Sequence, residues 1–440
     1  MRPEVLVLGA GPAGSVLARR LACSGVRVAL LGAAQRPGLE GVSDRSRALL
    51  AEENIESGAS LLQGPFIRRG RWGGRLVQGR EWLVERASLA QALRERAVSA
   101  GVEERPIAVT QVTQEAGAWR VSTRSGETLR APLLVEARGR RGPARRGSLL
   151  LAVSQRYRRR AGVAGETRIE SADFGWCWWV ERDEDLWVQV VARPGRHRPF
   201  GWAAAAARQI PELARALNGA TPVGEPSACA AHARYGLDRR GGVAPDATLR
   251  AWRVGDAAVA LDPLSGQGIY QALKSARLVA TAILSALDGG DAGLAERFVI
   301  ERHEEDFYRG VRVAAEFYRQ NAAQGEFWVQ TARAYETLGR LQRRPGASER
   351  GIERRPTLID GRIVEREVIV SGAHPRGVLQ VAGVPLAELV RHLEANAGAT
   401  PKSAARSLGR PDRAVAAAMH WLDQAGSSPS KGASENYPGG

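Results

Sequence analysis

The stretch Val5-Leu6-Val7-Leu8-Gly9-Ala10-Gly11-Pro12-Ala13-Gly14 constrains the fold more than any other part of the 440-residue chain. An apolar run, a glycine-rich turn and a helical pattern follow one another directly, which is how a doubly wound α/β sheet opens. Each glycine of the G-x-G-x-x-G turn has its own task. Gly9 permits the tight turn, Gly11 lets the backbone approach a pyrophosphate, and Gly14 lets helix and strand pack closely. The phosphates of a bound dinucleotide then face the positive end of the helix. The pattern predicts a strand over Val5–Leu8, a helix over Ala13–Ser24 and a second strand over Val26–Leu31. That strand runs into Gly32, where an acid usually binds a ribose hydroxyl. Glycine cannot do so, and either another group holds the ribose or the adenosine end is held loosely.

Further along, apolar spacing predicts a helix within 82–101, and residues 117–136 alternate as strands. Residues 148–235 are rich in strand formers and carry Trp176, Trp178, Trp179 and Trp187, which reads as an antiparallel sheet beside the nucleotide domain. A strand at 252–258, a helix at 266–286 and further helices over 291–342 follow. The segment 343–348 reads as a linker. The expected organisation is a nucleotide-binding domain in two parts, 1–147 and 241–345, around a substrate sheet at 148–240. A small α+β module follows at 355–425, then a disordered tail at 426–440.

A second motif specifies the nucleotide. Arg253-Val254-Gly255-Asp256-Ala257-Ala258 is followed by Asp262-Pro263-Leu264-Ser265-Gly266-Gln267-Gly268-Ile269 and a helix. Its order and spacing after the first turn resemble the signature of FAD-dependent monooxygenases. The resemblance implies that Asp256 bonds the ribityl and pyrophosphate region of FAD. It also implies that Gly266–Ile269 present backbone N–H groups to the flavin N1/O2 edge, where the reduced ring carries negative charge. Pro263 sits in the same turn. Trp82-x-Val84-x-Arg86, with Leu93 further on, is similar to the family's helix start, whose arginine faces FAD, although Arg86 reads equally well as a solvated helix-end residue. Leu134-Val135-Glu136-Ala137-Arg138-Gly139 resembles a family strand end, with Arg138 in place of the usual Thr or Asp.

The likeness narrows to the tryptophan-halogenase-like flavoproteins. Thr167-Arg168-Ile169-Glu170 with Gly175-Trp176-Cys177-Trp178-Trp179 resembles one of their stretches. Leu39-Glu40-Gly41-Val42-Ser43-Asp44-Arg45 is similar to the turn beside their isoalloxazine, with Gly41 in place of Ser. Tyr318 and the pair Phe327-Trp328 are similar to their later helices. The resemblance covers about residues 1–340 and implicates Glu40, Ser43, Arg45 and Arg86 in cofactor binding. Trp176 and Trp178 are then candidates for an aromatic substrate pocket, although ordinary sheet packing accounts for at least half of the tryptophans. The group includes flavin halogenases, geranylgeranyl-reductase-like enzymes and flavoproteins that build protein-derived quinones. The branch most like this chain is the flavoprotein monooxygenases of tryptophylquinone biogenesis.

Composition separates these activities. Only Lys274, Lys402 and Lys431 occur, so residues 1–273 contain no lysine. Flavin halogenases position hypohalous acid with a lysine from this part of the chain, and arginine substitutes poorly because it keeps its proton. Hydroxylation through a flavin C4a-hydroperoxide remains, with FAD carrying the chemistry and the protein supplying orientation and water exclusion. It requires no catalytic dyad, and no catalytic residue is assigned; His232 reads as a structural histidine. The expected substrate is tryptophan in a protein or peptide, with a small-molecule hydroxylase or halogenase of secondary metabolism as the alternative. Electrons are expected from NADPH or NADH bound transiently, or from a separate reductase, because no second G-x-G-x-x-G occurs.

Three scattered cysteines fit neither a zinc site nor a disulfide framework and suit a reducing cytoplasm. No metal is expected, and no apolar run reaches membrane-spanning length. The net charge is +16, of which residues 351–440, with 11 Lys/Arg against 9 Asp/Glu, hold only +2. Their helical pattern admits a helix-turn-helix and so a DNA-binding regulator, but DNA readers concentrate positive charge. A winged-helix-like module that docks a polypeptide is the better reading, with molecular oxygen as co-substrate and no nucleic acid or membrane partner.

Overall fold

The computed structural model describes residues 2–33, 37–55, 61–115, 117–140, 144–146, 150–159, 165–182, 184–194, 201–236, 250–342 and 351–426. The linker expected at 343–348 lies outside them, as does the tail expected at 426–440 except for Gly426, which instead ends the last helix. Two compact units emerge: Met1–Ala280 with His303–Leu341, and Thr281–Arg302 with Gln342–Pro438. Residues 281–302 thus group with the C-terminal residues rather than with the nucleotide-binding part. Among the described residues no helix is long and apolar enough to cross a membrane.

In the first unit, a five-stranded parallel sheet runs Arg250–Arg253, Leu133–Glu136, Val5–Leu8, Val28–Leu31 and Glu103–Arg105. Val5–Leu8 and Val28–Leu31 are buried at every position, as strands covered on both faces must be. The helix after the first turn begins at Pro12, one residue before the expected start. Its first position needs no N–H, and proline's fixed φ suits it there.

An eight-stranded sheet forms the second layer, with order Thr221–Ala230, Leu151–Arg158, Asp185–Ala192, Gly175–Arg182, Glu166–Ala172, Leu62–Trp72, Arg75–Glu85 and Leu39–Val42. Three of these strands come from residues 39–85, well before the expected sheet region. The parallel pairing of Glu166–Glu170 with Ile67–Arg71 joins the two groups of strands.

Period-two alternation divides the tryptophans. Cys177 and Trp179 face the short helices Trp202–Ala207 and Pro211–Leu217 and pack with Ala206 and Leu213. Trp176 and Trp178 face the other way. Trp176 joins a large aromatic core with Trp72, Phe307, Tyr308, Tyr318, Trp328 and Tyr335. The last five come from the helices Ala292–Gln320 and Glu326–Gly339.

The second unit is α+β. A hairpin of Gly351–Ile359 and Arg362–Val370 precedes helices Leu386–Ala395, Pro401–Leu408 and Asp412–Gly426. Its core gathers Ile369, Leu386, Leu389, Val415 and Leu422. Thr400 and Ser403 form a reciprocal capping box at the start of the second helix, and Gly409, left-handed, ends it. The hairpin is tied to residues 281–302 by Arg297–Glu365 at 2.8 Å, by Arg355–Glu301 at 3.2 Å, and by the Ile363 N–H donating to Ser285 Oγ at 2.9 Å.

Candidate active site

The glycine turn closes as its sequence demands. Gly9 has φ +120°, and a Cβ there would lie 2.4 Å from the Ala137 carbonyl oxygen. A Cβ on Gly14 would lie 1.9 Å from the Gly9 carbonyl oxygen, so strand and helix meet backbone to backbone. Gly11 is the extended N-cap, while Pro12, Ala13 and Gly14 make the first helical turn. Gly32 has its own steric reason: a Cβ there would lie 2.5 Å from the Ala10 amide nitrogen. The close approach of the glycine turn excludes any side chain at position 32, including the ribose-binding acid.

The second motif meets the first at this turn. Gly255, at φ +58°, approaches so closely that a Cβ on it would lie 2.8 Å from that of Ala13. Its N–H donates to Ser275 Oγ at 2.8 Å. Asp256 is partly exposed and paired with Arg140 Nε at 3.1 Å. Arg140 also donates to the backbone carbonyls of His232 and Leu261, at 2.5 and 3.2 Å. Pro263 starts a short 3₁₀ turn, Gly266 is left-handed at φ +59°, and the Gln267 N–H donates to Ser265 Oγ. The helix Gly268–Leu287 begins there, with Ile269 buried. Among the described residues, a Cβ on Gly266 or Gly268 would meet nothing within 4 Å, so this helix start leaves room beside it.

Glu40 and Arg86 also converge. Arg86 opens the helix Arg86–Ser99, its N–H donates to the Gly38 carbonyl, and its Nε donates to Glu40 Oε1 at 2.8 Å. Glu40 raises the Arg86 pKa further, burial opposes this, and Cys229 and Asp256 lie close enough to add to it. Residues 40, 86, 140, 229 and 256 therefore share one electrostatic neighbourhood. Ser43 caps its own helix, Asp44–Glu52, and Arg45 is exposed in its first turn.

Trp176 is 2% exposed, and its Nε1–H donates to Tyr318 at 3.4 Å. Trp178 is half-buried on the same face and donates to Glu81 Oε1 at 3.2 Å. Glu81 is buried, with Arg68 4.0 Å away. Arg138 pairs with Glu136 through Nε at 2.9 Å. His232 is buried, and burial, then Arg140, lowers its pKa, which keeps it neutral.

Sequence reasoning missed Arg140, Glu81, Cys229 and the surroundings of Asp262. Asp262 is 2% exposed. Its Oδ1 accepts the Leu264 N–H at 3.0 Å, and its Oδ2 accepts the hydroxyls of Tyr335 at 2.7 Å and Tyr318 at 3.1 Å. Burial pushes its pKa up to about 6 against these hydrogen bonds.

Comparison with solved structures places this arrangement. The peptidyl tryptophan dihydroxylase QhpG, essential for tryptophylquinone cofactor biogenesis, superposes with a TM-score of 0.80 and 30% identity, covering 97% of this chain and 100% of that one. The chain belongs to its family, the halogenase-like FAD-dependent monooxygenases. The flavin-dependent halogenase CmlS shares the family fold at a TM-score of 0.72 and 18% identity, over 97% of this chain and 95% of that one. The tryptophan 2-halogenase of Chondromyces crocatus is 26% identical over 396 residues, 76% of this chain and 72% of that protein. A model described as an NAD(P)-binding Rossmann-like domain matches residues 7–69.

As a member of this family the chain is an FAD-dependent oxidoreductase. Its site fits the cofactor: the first glycine turn meets the second motif at Ala13 and Gly255, and the helix start at Gly266–Gly268 has room beside it among the described residues. A helix start of this kind suits an anionic group.

Proposed function

We propose that the chain hydroxylates the indole ring of a tryptophan in a protein or peptide, as a step in building a quinone cofactor. Bound FAD supplies two-electron reduction and oxygen activation, and the protein supplies binding, orientation and exclusion of water. Gly9, Gly11 and Gly14 with the helix from Pro12 would hold the pyrophosphate. Asp256, kept in place by Arg140, would bond the ribityl region. The turn Gly266–Ile269 would face the flavin with the N-terminus of its helix, and Glu40–Arg86 would border the ring. NADPH or NADH, or a separate reductase, would deliver the electrons. A polypeptide substrate would dock through residues 355–425.

The match to a peptidyl tryptophan dihydroxylase over 97% of this chain and 100% of that one carries this reading. The lysines add weight against halogenation. The first in the chain, Lys274, is committed to both oxygens of Asp306, at 2.6 and 2.7 Å.

The test is incubation of the FAD-loaded protein with NADPH or NADH, oxygen and a tryptophan-bearing precursor polypeptide, read by mass spectrometry. A gain of one or two oxygen atoms on tryptophan is expected. Consumption of reductant with no oxygen on the polypeptide, but oxygen on free tryptophan, would replace this reading with a small-molecule hydroxylase.

A further inference from the structure

We propose that Asp262 is a positioning residue whose carboxylate, gripped by Tyr318 and Tyr335, holds the turn Pro263–Gly268 in fixed relation to the wall of the large sheet. The inference rests on the reading of Gly266–Ile269 as the flavin-facing turn.

Asp262 caps the 3₁₀ turn Pro263–Ser265 through Oδ1, which is local bookkeeping within the turn. Oδ2 does something the turn alone does not need. It receives two tyrosine hydroxyls from two different helices, Ala292–Gln320 and Glu326–Gly339. The rings of Tyr318 and Tyr335 stack, with centroids 5.7 Å apart and planes 24° apart, so neither hydroxyl swings freely.

Each tyrosine oxygen in turn receives a proton donor from the sheet side. Tyr318 accepts the Trp176 indole N–H at 3.4 Å, and Tyr335 accepts the Ala233 backbone N–H at 3.0 Å. Two legs therefore run from one carboxylate oxygen. One reaches a central strand of the wall, and the other reaches the chain just beyond its edge strand Thr221–Ala230.

A buried carboxylate is an unfavourable way merely to fill space among aromatic rings, since its ionised form loses hydration on burial. What it provides, and an apolar side chain does not, is direction. Every hydrogen bond in the chain Trp176–Tyr318–Asp262–Tyr335–Ala233 has one donor and one acceptor that cannot exchange roles while the carboxylate is ionised. The turn that would carry the flavin and the wall that would line the substrate are thereby fixed to each other. Oxygen transfer needs that fixity, because small misplacements of reacting groups lose much of the rate.

The test measures FAD binding to the apoprotein and the fraction of reductant electrons ending as hydrogen peroxide rather than product. Three variants are compared: Asp262→Asn, Tyr335→Phe and Gly268→Val. Asp262→Asn keeps the cap to Leu264 but cannot accept both tyrosines. Tyr335→Phe removes one leg and leaves the carboxylate, and so serves if the asparagine variant fails to fold. Gly268→Val places a side chain in the open space before the helix.

The expected result is FAD binding weakened about tenfold by Asp262→Asn and a few-fold by Tyr335→Phe. Peroxide leakage should rise in both, and Gly268→Val should weaken FAD binding most. Normal FAD affinity and coupling in the Asp262 and Tyr335 variants, with weak FAD binding in Gly268→Val, would overturn the positioning role and leave the flavin turn in place. Normal FAD affinity in all three would overturn the flavin turn itself. Lowered thermal stability with unchanged affinity and coupling would mark the network as structural only and would also overturn the proposal.

Discussion

Gly41 makes room for Glu81: a Cβ at position 41 would lie 2.8 Å from Glu81 Oε2. This accounts for the glycine that stands where the family's flavin-side turn carries serine. The carboxylate occupies the side-chain space and accepts the Trp178 indole N–H through its other oxygen. Gly41→Ala should therefore destabilise the protein by about 1 kcal/mol, because the carboxylate must shift and its hydrogen bond weakens. In a Glu81→Ala background the same change should stabilise slightly, since alanine then only reduces unfolded-state entropy. Denaturant unfolding of the four proteins measures this coupling. Additive effects would show that the two residues do not compete for space.

How far such features can be read ahead depends on where their signal lies. Both glycine motifs are contiguous, and each glycine answers a local steric demand, so the doubly wound sheet and its two turns were legible. The paired strands Leu62–Trp72 and Arg75–Glu85 were not. Arg68 faces inward beside Glu81 while Arg69 and Arg71 point outward, so the apolar alternation that announces a half-buried strand is missing. The Asp262 network was equally hidden. Its members lie 56 and 73 residues from the carboxylate, and no spacing rule links a turn to two later helices. Gly32 was legible as a departure, but its cause, the nearness of Ala10, exists only in three dimensions.

Gly14 offers a direct test of the turn. Gly14→Ala would drive a Cβ to 1.9 Å from a backbone oxygen, and neither the Gly9 carbonyl nor the Ala137 side chain behind it can yield cheaply. A loss of about 1–3 kcal/mol, typical of overpacking, is expected. Flavin content on purification should fall with it. Full flavin content and unchanged urea unfolding would contradict the close strand–helix approach.

Two buried groups should give opposing pH dependences. Asp262, pushed up to about 6, keeps a proton in the folded state that the unfolded chain has lost above about pH 4, so its contribution to stability falls as pH rises from about 4 to 6. His303 is pushed down to about 4, chiefly by burial, with its Nε2–H donating to the Arg253 carbonyl at 3.2 Å. The unfolded chain binds a proton there that the fold excludes, so stability rises from about pH 4 to 6.5. Each term is about 3 kcal/mol, and they largely cancel. His303→Gln should expose the fall and Asp262→Asn the rise, read from denaturant midpoints at both ends of the window. Two variants with the wild-type slope would refute both assignments.

Bromide discriminates oxygen transfer from halogenation. Residues 1–273 contain no lysine, and Lys274 is held by the buried Asp306, which Arg309 also contacts. Bonded to both oxygens of a buried carboxylate, the Lys274 ammonium is held at Asp306, and a guanidinium keeps its proton. The FAD-loaded protein, given reductant, oxygen, an electron-rich indole substrate and bromide, should yield oxygenated product at the same rate as without bromide. Bromine is readily seen, because its two isotopes of nearly equal abundance split every brominated mass peak into a pair. A bromide-dependent pair that persists when catalase removes peroxide, and vanishes when the protein is omitted, would show that lysine is dispensable for halogen positioning here and would return the chain to the halogenases.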